Sequence, residues 1–502
     1  MKPHKIVILG GGTAGWMAAN LMKHYWHNLP VDIVLLESPE VGIVGVGEGS
    51  TPTLKRFFQI LGIAESDWMA KCNATYKLDI RFDGWSPQSG VKSYSHPFVG
   101  QLDTFTQRAF EVNCRTRRMG LAVNTRPTDF FLNGVLAQQH KGPLVGEHFP
   151  FRVEYGYHFD SILLGKYLAE FAQSKGVKHQ SCKVVDSRLD PQGNISCLID
   201  ENGDEITGDF FIDCSGFAAV LAQKTLAGEF ESFDANLFND RAVVIATDKQ
   251  QDPQPYTRST ALSCGWAWQI PLQNRTGNGY VYSSKYLADE DAAKELLAHL
   301  DLPLSKLSEC RTLKMRVGQL KQHWLKNCLA LGLAQGFIEP LEATALHLVQ
   351  ISIEMFVSLY EKGQFSNQYQ AEYNQKIYQR FERVRDYIVA HYKLNTRNDS
   401  QYWCDNRENM QLSDSLRHLL DVWYREQDLS GEIRRQKIEN HFSSASWHCL
   451  FAGYGVFPPL AANQPNKGDL YKEQNIEQFL AGCAVNFCSH TDNLAGKKRD
   501  LD

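Results

Sequence analysis

Lys5-Ile6-Val7-Ile8-Leu9-Gly10-Gly11-Gly12-Thr13-Ala14-Gly15 is the stretch of sequence that decides the fold. Residues 5–9 form a short apolar run rich in β-branched side chains, the composition of a strand buried on both faces of a parallel sheet. The glycines at 10, 12 and 15 then make a GxGxxG pattern, followed by an apolar helical stretch from Trp16 to about Tyr25. A second strand, Val31 to Leu36, ends on Glu37. Gly10 permits the tight turn, Gly12 lets a pyrophosphate approach the backbone, and Gly15 allows close helix–strand packing. Phosphates then sit on the helix N-terminus and Glu37 accepts from ribose hydroxyls. The pattern reads as a dinucleotide site and leaves NAD and FAD open.

Working outward, Leu164, Tyr167, Leu168 and Phe171 share one face of a helix over 161–174. A strand follows around Lys183-Val184-Val185, then a hairpin turning at Asn202-Gly203. The run Asp209-Phe210-Phe211-Ile212-Asp213-Cys214-Ser215-Gly216 places a strand before Asp-x-Ser-Gly, which resembles a recurring element of glutathione-reductase-like FAD proteins. No second GxGxxG opens a helix, so FAD without a built-in nicotinamide domain is expected. The fold class expected is α/β: a Rossmann-type FAD-binding domain with antiparallel sheet elements, plus a mainly helical C-terminal part. The boundaries expected are 1–350 for the first, with a substrate-wall insertion at about 90–150, and 351–502 for the second. Stretches 366–393, 412–425 and 429–441 read as helices.

Composition narrows the function. With 502 residues, 43% hydrophobic, the chain can bury a large core without staples. Its 52 basic and 57 acidic side chains leave a net charge of −5, which argues against bulk nucleic-acid binding. The twelve cysteines form no CxxC pair, so neither a zinc nor a redox motif is expected, no metal site is assigned, and reduced thiols in a cytoplasmic protein are the expectation. No apolar run reaches membrane-spanning length. The surplus is aromatic: 27 Phe, 20 Tyr and 10 Trp.

Three further segments carry chemistry. Gly265-Trp266-Ala267-Trp268-Gln269-Ile270-Pro271 puts two tryptophans on one strand face. Thr75-Tyr76-Lys77-Leu78-Asp79-Ile80-Arg81-Phe82 sets a lysine in an alternating strand, ordinarily an edge or surface position. Gly332-Leu333-Ala334-Gln335-Gly336-Phe337-Ile338-Glu339-Pro340-Leu341-Glu342-Ala343-Thr344-Ala345 enters an apolar helix, whose first amides with the Thr344 hydroxyl make a small-anion site. Trp-x-Trp-x-Ile-Pro, the Lys-x-x-Ile-x-Phe context of Lys77 and the Glu342–Ala345 run resemble the flavin-dependent halogenases of the tryptophan-halogenase type. Val44-Gly45-Val46-Gly47-Glu48-Gly49-Ser50-Thr51-Pro52 resembles that family's flavin-side strap, and Tyr94-Ser95-His96-Pro97-Phe98 its substrate wall.

The resemblance implies halogenation of an electron-rich aromatic. FAD is used as FADH2, supplied by a separate NAD(P)H-dependent flavin reductase, and with O2 it oxidises halide to hypohalous acid. Lys77 delivers the halogen equivalent, and Glu342 supports it and removes the ring proton. Thr344 and Ala345 hold the halide. Gly10, Gly12, Thr13, Ala14, Gly15, Glu37, Gly49, Val184, Leu333 and Leu346 are the FAD positions. His96, Pro97 and Phe98 flank a small aromatic substrate, with Trp447 as a second stacking face. Two departures bear on specificity. Glu342-Ala343-Thr344-Ala345 replaces the usual Glu-Ser-Thr-Gly, which points to bromide over chloride. Residues 400–460 lack the Tyr-Tyr and glutamate cluster that clamps free tryptophan, so indole or a larger indole- or phenol-containing molecule is expected. A flavin-dependent aromatic monooxygenase of the same fold and a flavin-binding protein without halogenase activity stay open. The oligomeric state also stays open, a homodimer included.

Overall fold

In the computed structural model of the chain, which describes residues 3–40, 45 and 47–499, the opening stretch forms strand His4–Leu9 and helix Thr13–Tyr25. Strand Val31–Glu37 pairs parallel to the first on one side and Phe210–Asp213 on the other. The resulting sheet has six strands, with Cys328–Ala330 beyond Phe210–Asp213, Lys178–Ser181 beyond Val31–Glu37, and Trp324–Leu325 antiparallel at one edge. Ile6, Val7 and Ile8 are fully buried, as apolar residues at both parities of a doubly covered strand must be. Helices Ser161–Ser174 and Ala345–Lys362 pack against helix Thr13–Tyr25. Asn20 stitches the first of these contacts, its side-chain amide donating to the carbonyls of Trp16 (2.8 Å) and Leu168 (2.9 Å).

The chain divides into two interleaved compact units. One comprises the described residues of Met1–Asn73, Phe159–Asp234 and Met315–Glu382, and the other those of Ala74–His158, Ala235–Lys314 and Arg383–Asp502. The single serial boundary expected at 350 is corrected by this division. Residue 350 falls inside helix Ala345–Lys362, whose apolar face belongs with helix Thr13–Tyr25. The chain leaves the nucleotide sheet and returns to it twice, so sequence order does not separate the units.

The second unit is built on a seven-stranded sheet in the order 311–314, 241–248, 275–282, 265–271, 256–262, 79–86 and 91–97. All its pairs are antiparallel except Asp79–Ser86 against Tyr256–Leu262. Strand Gly265–Pro271 has the expected bounds. Trp266 and Trp268 lie on one face with ring centroids 6.0 Å apart, and Trp268 needs Gly279 opposite it. A Cβ at 279 would meet the indole at 2.2 Å. The helices expected over 366–393, 412–425 and 429–441 are present with shorter bounds, as Gln370–Lys393, Asp414–Tyr424 and Leu429–Gln436, the last stopping where Lys437 turns left-handed at φ +57°. Among the described residues no helix is long and apolar enough to cross a membrane.

Candidate functional site

In the first unit, the glycine loop has the shape a bound dinucleotide requires. Gly10 has φ +116°, and a Cβ there would lie 2.2 Å from the Cys214 carbonyl oxygen. At Gly15 a Cβ would lie 2.0 Å from the Gly10 oxygen. Gly12, by contrast, has nothing among the described residues within 4 Å of its Cβ position, and none of their side chains caps the helix it precedes. Open amides at a helix start beside an empty Cβ position fit a pyrophosphate. Glu37 ends its strand with the carboxylate lying over Gly11 and 3.1 Å from His179 Nε2. His179 packs edge-on against Trp16 at 5.3 Å.

Asp213 explains the Asp-x-Ser-Gly run. Fully buried, it accepts from the Ser215 amide and hydroxyl and from the amides of Leu221 and Ala222, at 2.6–3.0 Å. It thereby fixes the turn that carries Cys214 against Gly10. Burial raises its carboxyl above the usual range, and these donors oppose the rise.

The strap converges on the same loop. Gly45 sits so close to Ser161 and Ile162 that a Cβ would approach their side chains to 2.8 and 2.6 Å. Glu48 begins the two-residue strand that ends at Gly49, and burial pushes its carboxyl up to about 7, opposed by the Ser161 hydroxyl. The Thr13 hydroxyl donates to the Ser161 carbonyl at 3.4 Å. Val44 and Val46 of the strap lie outside the described residues. Leu333, exposed, follows Gly332, whose left-handed φ of +62° brings it against Ala14. Val184 packs on the core beneath the sheet.

Glu342 and Thr344 are buried, and Ala343 between them adopts a left-handed φ of +55°. Thr344 precedes the eighteen-residue helix Ala345–Lys362, and Ala345 and Leu346 open its first turn. Its hydroxyl oxygen is buried and, among the described residues, has no hydrogen-bond partner. A buried unsatisfied hydroxyl is costly unless something fills its need. A hydroxyl donor beside helix-start amides fits a halide.

In the second unit, the strand expected over 75–82 breaks at Leu78. Thr75–Lys77 pairs with Gly156–Phe159, whereas Asp79–Ser86 joins the large sheet. Leu78 holds the crossover, its amide donating to the Pro255 carbonyl (2.7 Å) and its carbonyl accepting from the Phe98 amide (3.0 Å). Lys77 at this break is fully buried rather than on a sheet edge, with Nζ 5.4 Å from the Phe98 ring centroid. His158, on the paired strand, is held well below the usual imidazole range by burial and by the charges of Lys77 and His490. His96 and Pro97 are on strand Val91–Pro97, where Pro97 lies opposite Asp79. Tyr387 links this wall to the C-terminal tryptophan, with ring centroids 5.9 Å from His96 and 4.8 Å from Trp447. Trp403 and Trp423 spend their indole N–H groups on the carbonyls of Leu262 and Val456, while the buried Trp447 N–H has no partner among the described residues.

Sequence reasoning missed His179, Glu48 and Asp79 as members of these sites. His179 carried no signal, being separated by 142 residues from the carboxylate it pairs with. Asp79 had one, its place two residues beyond Lys77, but in an alternating strand that position reads as solvated.

With this geometry in view, comparison with known proteins is specific. The sequence model of the tryptophan halogenase family matches residues 5–466. The tryptophan 6-halogenase of Streptomyces toxytricini is 36% identical over 450 residues, 84% of either chain. A solved flavin-dependent halogenase from Xanthomonas campestris superposes with a TM-score of 0.85 at 32% identity, over 100% of this chain and 99% of that one. The tryptophan C-6 flavin-dependent halogenase (chlorinase) from taromycin biosynthesis superposes at 0.82 with 29% identity, over 98% and 99%. A dinucleotide loop, a buried lysine and a family match across nine-tenths of the length agree, and the chain belongs to the tryptophan halogenase family, whose members are flavin-dependent enzymes.

Proposed function

We propose that this protein halogenates an indole-type aromatic molecule other than free tryptophan, with bromide preferred, using FADH2 from a separate NAD(P)H-dependent reductase. The observation that carries the reading is Lys77, an ammonium-bearing side chain buried against the Phe98 ring beside His96 and Pro97. Bound reduced flavin, with O2, supplies the oxidising equivalent that converts halide to hypohalous acid. Gly10, Gly12, Thr13, Ala14, Gly15, Glu37, Gly49, Val184, Leu333 and Leu346 hold that cofactor. The Thr344 hydroxyl and the Ala345 amide bind the halide.

Lys77 then positions hypohalous acid by hydrogen bonding or captures its halogen on nitrogen. In the hydrogen-bonded route the ring carbon takes the halogen. The O–halogen bond breaks with its electrons on oxygen, and the hydroxide so formed becomes water with a proton from the Lys77 ammonium. Glu342 accepts the proton that the ring carbon loses, a general-base role. His96, Pro97 and Phe98 stack one side of the substrate and Trp447 another. The buried Trp447 N–H, without a hydrogen-bond partner among the described residues, supports that role over pure packing. The missing Tyr-Tyr and glutamate clamp supports a substrate without a free amino-acid group to hold.

The test is mass spectrometry of an indole panel incubated with protein, FAD, reductase, and bromide and chloride side by side. Brominated indoles at a higher rate than chlorinated ones are expected, and equal or faster chlorination overturns the halide preference. Ala345→Gly removes the methyl next to the halide position and should raise chlorination relative to bromination several-fold. A second variant tests the cofactor role of Glu37. Glu37→Gln loses the charge-assisted acceptor for ribose and should weaken FAD binding about tenfold, as expected for one such hydrogen bond. Quenching of flavin fluorescence reads it, and unchanged affinity would remove Glu37 from the site.

A further inference from the structure

Strand Asp79–Ser86 runs between Tyr256–Leu262 and Val91–Pro97, with Asp79 opposite both Tyr256 and Pro97. Asp79, Arg81 and Asp83 alternate along it and share one face. Arg81 Nε donates to Asp83 Oδ1 (3.1 Å) and Ser93 Oγ (2.9 Å), and Arg258 Nε lies 3.6 Å from Asp83 Oδ2. Arg258 also donates to the Tyr256 hydroxyl at 3.2 Å. The side chains of Arg81 and Asp83 are 38% and 21% exposed, whereas Asp79 is buried. The two outer groups satisfy each other. Asp79 Oδ1, at the inner end, is buried without a hydrogen-bond partner among the described residues. The next charged residue along the chain toward the N-terminus is Lys77.

We propose that Asp79 is a positioning residue for Lys77, its carboxylate holding the buried side chain as an oriented ammonium so that halogen transfer runs only with Asp79 ionised. The inference rests on the reading of Lys77 given above. A buried carboxylate without a cation nearby is strongly disfavoured, and a buried ammonium likewise, so each stabilises the charged form of the other. The titratable and charged groups around Asp79 are Lys77 and Arg81 on its own run, His96 with the Ser95 hydroxyl on strand Val91–Pro97, and Tyr256 on the other neighbour. His158, opposite Thr75 on strand Gly156–Phe159, is held well below the usual imidazole range by burial and by the Lys77 and His490 charges. Burial pushes the Asp79 carboxyl up to about 7, and the Ser95 hydroxyl, Arg81, Lys77 and His96 oppose the rise. The ionised fraction therefore changes within the range in which the protein can be assayed.

The experiment measures kcat and KM for bromination of indole from pH 6 to 8.5 with the full chain and pre-reduced FAD, so that no reductase contributes to the profile. Wild-type kcat should fall as pH drops through about 7. Asp79→Asn keeps the shape but cannot ionise. It should flatten this limb and lower kcat at pH 8 about tenfold, equivalent to one pKa unit of lost interaction, with KM unchanged and FAD fluorescence quenching intact. Ser95→Ala removes a donor to the ionised carboxylate and should move the limb to higher pH. A wild-type limb retained in Asp79→Asn, or an unmoved limb in Ser95→Ala, overturns the proposal. Should Asp79→Asn not fold, the Ser95→Ala shift decides alone. Activity surviving in Lys77→Ala would instead sink the reading of Lys77 itself, so the two failures are distinguishable.

Discussion

Lys77→Ala is expected to lower halogenation by about three orders of magnitude or more while FAD still binds. A positioned proton donor contributes about 10²–10⁴-fold by itself. In the proposed mechanism the same group also places the halogen equivalent, so its removal costs orientation as well. The change should not unfold the protein. Lys77 is fully buried, so removing its charge relieves a desolvation penalty that offsets the packing lost with the side chain, and Asp79, left without that cation, takes up a proton instead of remaining a buried charge. Lys77→Met, which keeps most of the volume, separates the two contributions. Both variants should melt near the wild type and quench flavin fluorescence normally, because strand Thr75–Lys77 contains none of the nucleotide-loop residues. They should still consume reduced flavin and release peroxide or free hypohalous acid, detectable by chlorination or bromination of an added scavenger. Product formed at a substantial fraction of the wild-type rate would remove Lys77 from the mechanism.

The second large effect concerns the glycine loop, where two glycines two residues apart should behave oppositely. Gly10→Ala asks an L-residue to adopt φ +116° and drives its Cβ to 2.2 Å from the Cys214 oxygen. The neighbouring atoms cannot yield cheaply. Cys214 is anchored through its amide to the Leu9 carbonyl at 2.8 Å, and Asp213, next to it, holds four donors. Separating strands His4–Leu9 and Phe210–Asp213 would be needed, so a loss of about 4 kcal/mol or more is expected, at the extreme for single substitutions. Soluble expression and FAD binding should both fail. Gly12→Ala meets nothing within 4 Å and starts from a backbone that alanine accepts, so it should melt like the wild type. Its methyl occupies the space into which the pyrophosphate comes, and FAD affinity should fall more than tenfold. Equal behaviour of the two variants in melting and binding would contradict the loop's assignment.

Where the sequence was legible, the interactions are local or periodic. Helix Ser161–Ser174 and strand Gly265–Pro271 were read to the residue because an amphipathic repeat and a proline stop are written in adjacent positions. The hairpin at Asn202-Gly203 followed from the left-handed turn that Gly203 supplies at φ +86°. Lys77 was identified by resemblance, whereas its own pattern pointed to an exposed edge. The break at Leu78 that buries it depends on Pro255 and Phe98, neither of which a local reading weighs. His179 was invisible for the same reason, and Asp79, two residues beyond Lys77, was misread as a solvated position.

By itself, then, the sequence determined the nucleotide loop, the parallel strands that frame it, the family, and the residue types that carry the chemistry. These follow from backbone sterics at glycine and from hydrophobic periodicity, which act within a few residues. Only the tertiary structure decided that the compact units interleave in sequence and that the Thr344 hydroxyl is buried and, among the described residues, without a partner. It also showed that the aromatic surplus includes a wall running from His96 through Tyr387 to Trp447. Burial and pairing are properties of groups brought together from distant points of the chain, and desolvation acts on a side chain only once its neighbours are in place.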